Sequence, residues 1–306
     1  MTAGRNTTGG GDGKGLLLAL CGFASLSIGD TIIKTIAGSW PGTAVALTRY
    51  TAGAVMLGLL LARSEGRRGF VLPQRGWHLL RGLAVGVATV TFFSAIFLMP
   101  LAEATAITFT SPMLTVLLAV PLLGERLRAA GLAALALAFA GMIVVLRPSF
   151  AELGPVALLP LASALGMSLL MIGNRKVAGS ASALAMQFAV ATCALPVIAL
   201  AALAGHLSGD PALHIGVPDW NVIARCLVVA VTASASHWLV YLGVERAGAA
   251  RVAPMTYVQL PVAGVLGWAA FGDRPDALAL LGAGIIVAAG LMLWRSGRVQ
   301  EPAIGE

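Results

Sequence analysis

The chain reads as long apolar runs separated by short polar joints. A helix crosses about 30 Å of hydrocarbon with about 20 residues. Runs of that length lie at 15–37, 43–62, 76–97, 101–123, 129–147, 153–173, 181–204, 220–244, 248–271 and 276–295. The joints carry helix breakers: Trp40-Pro41-Gly42, Glu65-Gly66-Arg67-Arg68-Gly69, Pro100, Arg147-Pro148, Gly209-Asp210-Pro211 and Arg274-Pro275. The runs are continuous and rich in Ala and Leu, whereas barrel strands alternate over about ten residues. Backbone groups in lipid must then be satisfied within each segment, as a helix does. The pattern predicts an all-α integral membrane protein of ten transmembrane helices.

Composition agrees. Hydrophobic residues make up 58% of the 306 residues and charged residues 11%. A soluble domain carries about 25% charged residues, so this chain lacks the polar surface to face water all round. The net charge of +7 is spread over the joints with no interleaved aromatics, which argues against a nucleic-acid partner. Cys21, Cys193 and Cys226 each sit in an apolar run and form neither a disulfide framework nor a metal spacing. Phosphate-binding loops, zinc motifs and nucleophile elbows are missing, so no cofactor or metal and no enzyme activity are expected. The alternative class, a membrane-embedded lipid-modifying enzyme, would need a charged or metal-binding cluster near one interface.

Lys and Arg set the orientation. With the N-terminus inside, the inner joints hold Arg63, Arg67, Arg68, Arg75, Arg126, Arg128, Arg175, Lys176 and Arg246. The outer joints hold only Arg147 and Arg274, with Lys34 and Arg225 near span ends. The bias toward cytoplasmic loops predicts a bacterial inner-membrane protein with both termini cytoplasmic. Residues 1–14 are polar and Gly/Thr-rich and read as a disordered cytoplasmic tail, with a second cytoplasmic tail at 296–306.

The two halves resemble each other. Residues from Pro112 to Gly124-Glu125-Arg126 have a counterpart from Pro261 to Gly272-Asp273-Arg274, and each stretch precedes an Ala/Leu/Gly-rich run ending in Arg. A looser alignment sets Asp30 opposite Ser168 and Arg49 opposite Gln187. The units are 15–147 and 153–295, each of five helices. Five is odd, so the second copy is expected upside down, an arrangement suited to alternating access.

These motifs, with Gly131, Gly141, Gly282 and Gly290, resemble the EamA-type drug/metabolite transporter superfamily over nearly the whole chain after residue 14. The resemblance implies ten helices in two inverted five-helix repeats and transport of a small molecule. Asp30-x-x-x-Lys34, Pro41 and Arg49 resemble a subset that includes riboflavin and S-adenosylmethionine carriers, and aromatic amino-acid exporters share the scaffold. The chain departs from the pattern in having Asp273 where Glu is usual, and its second half lacks counterparts of Lys34 and Arg49. Amino-acid export is the expected activity, with riboflavin, S-adenosylmethionine or a lipophilic cation as alternatives. The expected partners are a small-molecule substrate and membrane lipid, with the protein a monomer or weak dimer.

Charges inside a span cost roughly 2.5–3.5 kcal/mol near the helix centre and need a reason to be there. Asp30 and Arg49 are expected at similar depth, either as a structural ion pair with Lys34 reaching outward to water or as the lining of a vestibule. Pro112 and Pro261 are expected near the middles of their helices as kinks or hinges. Around them gather Thr108 and Ser111, then Tyr257 and Gln259, with Phe92 on the third run. Their neighbours by the repeat are Ser168 and Gln187. On the eighth run His237, Trp238 and Tyr241 share a face by their i,i+3 and i,i+4 spacing. That face suits an aromatic or cationic substrate. His237 is the candidate for proton coupling, although Asp30 and Glu103 are the few other acids in the spans. Glu125 and Asp273 are expected to serve as helix-end caps.

Overall fold

The computed structural model describes residues 9–123, 129–177, 180–247 and 252–297. The side chains of Arg175 and Tyr241 lie outside this description. The described residues are almost wholly helical, with no strand. The helices are α1 (Gly9–Lys34), α2 (Gly42–Ser64), α3 (Arg75–Leu98), α4 (Leu101–Thr108), α5 (Ser111–Leu123), α6 (Ala129–Leu153), α7 (Leu159–Lys176), α8 (Ala183–Leu207), α9 (Trp220–Ala247), α10 (Gln259–Phe271) and α11 (Ala277–Gly297). Seven helical stretches are long and apolar enough to cross a bilayer, and three shorter apolar ones lie at 132–147, 255–271 and 277–292. Leu17, Val55, Leu59, Val231 and Leu280 turn outward and stay exposed, as a lipid-facing surface allows. The chain is therefore a multi-pass membrane protein.

Local chemistry sets the ends. The Ser182 hydroxyl accepts the Ala185 N–H at 3.1 Å and caps α8. The Asp276 carboxylate accepts the Ala279 N–H at 2.6 Å at the start of α11. α10 stops at Gly272, whose φ of +71° only glycine adopts readily and whose N–H turns back to the Gly267 and Trp268 carbonyls.

Two expected helices depart from simple rods. The fourth run breaks after Thr108 and restarts at Ser111. Pro112 therefore sits in the first turn of α5, where a missing N–H costs little, while it still lies at mid-length of the apolar stretch 101–122. The ninth run opens with the 3₁₀ segment Ala253–Val258 before α10, so Pro261 lies in the first turn of α10. The chain breaks before each proline instead of kinking at it. Proline disfavours helical backbone in the residue before it and clashes with the carbonyl four residues earlier, which places the break on its N-terminal side.

The helices pack through small residues. α1 lies against α9, α3 against α7 and α8, α2 against α8, α6 against α11, and α4 against α10. At the α6–α11 crossing the backbones touch. A Cβ on Gly141 would sit 2.8 Å from the Gly282 carbonyl oxygen, and one on Gly282 would sit 2.7 Å from the Gly141 oxygen. Lipid gives helices no hydrophobic reason to associate, so close backbone contact through small residues supplies the attraction. The core runs through the middle of this packing and includes Ile33, Phe93, Ile96, Leu101, Ile107, Ile198 and Val229.

Candidate functional site

The first charged group is Asp30, in the last turns of α1. It lies deep in the protein mass and yet keeps water-accessible surface. His237 on α9 combines the same two properties, deep but exposed. Both groups are coupled electrostatically to Arg49 on α2, so the three mark one charged region within the spans. Two surface grooves lie elsewhere. One of about 280 Å³ is lined by Leu47, Leu203 and His206 among others, and one of about 460 Å³ by Ile32, Thr35 and Arg225 among others.

Arg49 on α2 is the electrostatic hub of this region. It feels the charge of Asp30 from α1 and acts on His237 and Cys226 from α9. Its guanidinium lies 5.1 Å from the Tyr50 ring centroid and 5.2 Å from that of Phe93, a cation–π position on both. The Tyr50 and Thr89 hydroxyls are 2.7 Å apart, which fixes the Tyr50 ring. Among the described residues Asp30 and Arg49 form no ion pair, so the structural pairing expected of them is not made. The two opposite charges stand within reach of each other's field without direct contact.

Lys34, one turn beyond Asp30, does not reach out to water. Its ammonium bonds the Asp273 carboxylate at 2.6 Å and donates to the Met99 carbonyl at 3.1 Å. It also lies 4.9 Å from the Phe271 ring centroid. This is the one ion pair among the described residues. Asp273 thus binds a distant helix end and is more than a local cap. Its expected counterpart Glu125 lies outside the described residues.

The polar residues around the breaks divide by role. Thr108 is half-buried and donates to the Ala104 carbonyl at 2.9 Å, a bond within its own helix. Ser168 is fully buried, with its hydroxyl 2.7 Å from the Ala164 carbonyl and 2.9 Å from the Ser111 carbonyl. It ties α7 to the restart at Ser111. A short side chain with a backbone acceptor one turn away satisfies itself locally, which the alignment does not register. The Gln259 side-chain amide donates to the Thr256 hydroxyl at 3.0 Å, and the Gln259 backbone carbonyl accepts from the Ser27 hydroxyl at 3.1 Å. Tyr257 meets Phe109 edge to face, with centroids 5.5 Å apart. Phe92 is half-buried against the core, and Gln187 is exposed on α8. The Trp238 side chain is 59% exposed, and the Tyr241 side chain lies outside the described residues. His237 Nδ1 is 2.6 Å from the Ala233 carbonyl.

Sequence reasoning named Asp30, Arg49 and His237 and missed Phe93, Tyr50 and Cys226. Tyr50 is the sequence neighbour of Arg49, whereas Phe93 and Cys226 look like ordinary core residues in a span and come near Arg49 only through packing. Among the described residues no group of three or more His, Cys, Asp or Glu is placed to hold a metal ion.

Comparison with known proteins completes the picture. A riboflavin transporter from Rhizobium johnstonii is 28% identical over 230 residues, 74% of this chain and 73% of that protein. An S-adenosylmethionine uptake transporter from Rickettsia bellii is 24% identical over 276 residues, 90% of this chain and 91% of the other. A pseudopaline exporter from Pseudomonas aeruginosa is 24% identical over 286 residues, 92% of this chain and 96% of the other. A solved crystal structure superposes with a TM-score of 0.61 at 22% identity, covering 94% of this chain and 100% of that one, and so shares the fold. The model of the EamA-like transporter family matches residues 13–147 and again 154–295. With nearly its whole length matched, this chain belongs to the EamA-like transporter family, among transporters of the drug/metabolite type.

Proposed function

We propose that this protein is a secondary carrier that moves a small amino-acid-type metabolite out across the inner membrane by alternating access. The reading seats both Asp30 and Arg49 on one substrate hollow, and one observation carries it: their opposite charges lie within the spans and form no ion pair with each other. Separated opposite charges in a site of low dielectric are costly when empty and complementary to a zwitterion when filled. A substrate carboxylate takes the guanidinium fork of Arg49, and a substrate ammonium takes Asp30. The Tyr50 and Phe93 rings hold the guanidinium plane in place for that contact.

Support for the transport cycle comes from the packing. Counted by the ten expected runs, α1 and α9 are the first and eighth, and α7 and α3 are the sixth and third. Shifting by five runs exchanges the α1–α9 contact with the α7–α3 contact. The α6–α11 contact, fifth with tenth, maps onto itself, as does α2–α8, second with seventh. Two five-helix units related by a two-fold axis give this pattern, and an odd number of crossings inverts the second unit. The double match of the family model is in keeping with that division. Such units have two near-equivalent packings that open to opposite faces.

One relative's substrate fits the same view. S-adenosylmethionine, taken up by a relative, bears an α-amino acid head. The test is flux into proteoliposomes of amino acids, S-adenosylmethionine and riboflavin, each with and without a pH gradient. Saturable flux of an amino-acid-bearing compound is expected. Flux of riboflavin alone would replace the zwitterion reading, and no flux of any compound would end the carrier reading.

A further inference from the structure

Lys34 and Asp273 are far apart in sequence and hold three segments together at one end of the molecule. Lys34 ends α1, Met99 ends α3 just before α4, and Asp273 follows the left-handed Gly272 that stops α10. The ammonium reaches the Asp273 carboxylate at 2.6 Å, the Met99 carbonyl at 3.1 Å and the face of Phe271 at 4.9 Å. The side chains are only 11% and 19% exposed. One residue further on, the Thr35 carbonyl and hydroxyl accept from Arg225 Nη1 at 3.2 and 3.3 Å, which pins the start of α9 to the same end. Next to Arg225 is Cys226, fully buried and within electrostatic reach of Arg49. Cys226 is therefore a buried thiol one residue from this knot.

We infer that the Lys34–Asp273 pair is a latch that closes the hollow at this end and must part for substrate to pass there. The inference rests on the carrier reading above and deepens it. The pair joins the first five-helix unit to the second. Any motion that separates the units at this end has to break it. Asp30 and Lys34 lie one turn apart on α1, so a substrate that draws on Asp30 acts on the helix that bears the latch. A part-buried, charge-assisted bond has the strength to bias such an equilibrium, since coupling between two states usually amounts to about 5- to 150-fold.

Cys226 makes the latch measurable. In a Cys21→Ser, Cys193→Ser background, the purified protein in detergent is treated with a hydrophilic maleimide, and labelling of Cys226 is timed. Lys34→Gln and Asp273→Asn are each expected to raise the rate by about tenfold. The charge swap Lys34→Asp with Asp273→Lys is expected to bring it back toward the parent rate. Lys34→Arg, which keeps the charge, is expected to stay near the parent. Unchanged rates in both neutral variants, or a swap that labels as fast as either of them, would overturn the latch. Thermal unfolding of each variant separates opening from loss of fold, because an unfolded variant labels at the rate of the denatured chain. The carrier reading fails separately, by absence of flux in the unmodified protein, whatever the labelling shows.

Discussion

Phe109 and Tyr257 stand edge to face at the centre of the molecule, with planes at 88° and centroids 5.5 Å apart. Phe109 lies in the break between α4 and α5, and Tyr257 lies in the 3₁₀ segment that opens the ninth run. The two irregular stretches thus meet through their rings. Irregular backbone at membrane depth is tolerated where protein or a wet cavity receives it, and here an aromatic pair does so.

The contact has a consequence on α11. A Cβ added at Gly290 would run into the Tyr257 hydroxyl and ring. Gly290→Ala is therefore expected to push Tyr257 off Phe109 at a cost of about 1–3 kcal/mol, the usual range for overpacking. Thermal unfolding in detergent reads the loss. Combined with Tyr257→Ala, the Gly290 substitution should add almost nothing, because the ring it displaces is gone. Full additivity of the two changes would show that Gly290 and Tyr257 act independently.

The charged hollow gives a functional prediction. Arg49→Ala and Asp30→Asn each remove one end of the proposed zwitterion receptor. The substrate charge opposite the removed end is then desolvated without a partner. Each substitution is expected to lower kcat/KM by about thirtyfold or more, the lower bound for truncating one partner of a buried charge pair. Arg49→Lys keeps the charge but gives up the planar fork held by Tyr50 and Phe93, so it should fall between the parent and Arg49→Ala. Initial-rate flux in proteoliposomes, at matched protein incorporation, checks all three. Parent-like flux in Arg49→Ala would remove Arg49 from the site.

Much of the fold was legible from hydropathy, because lipid imposes one demand on every span: an apolar exterior with internal backbone bonding. The existence of the helices follows from that demand. The positions of the breaks do not. Pro112 and Pro261 advertise a disturbance, but whether the chain kinks at them or stops before them depends on what packs there, and Phe109 and Tyr257 are invisible as partners in the sequence. The site divides in the same way. Asp30 and Arg49 stand out because a charge in a span is rare. Ser168 looked equivalent to Asp30 by alignment but satisfies itself on the Ala164 and Ser111 carbonyls. The Lys34–Asp273 bond joins residues too far apart in the chain for any local pattern to reveal. The sequence placed both at the outer ends of their spans but had no means of saying which of the outer groups would pair.

The α6–α11 crossing supplies a prediction about the symmetry itself. Gly141 and Gly282 approach each other reciprocally, with virtual Cβ-to-oxygen distances of 2.8 and 2.7 Å. In a two-fold arrangement the fifth and tenth runs are each other's image, so the two glycines occupy equivalent places in one contact. Gly141→Leu and Gly282→Leu are then expected to destabilise by similar amounts, about 1–3 kcal/mol each for overpacking at a closed crossing. The double variant should cost less than the sum, since one separation of the helices accommodates both side chains. Chemical denaturation in detergent measures the three values. A large difference between the two single variants would mean that the crossing is asymmetric and would weaken the case for two equivalent units.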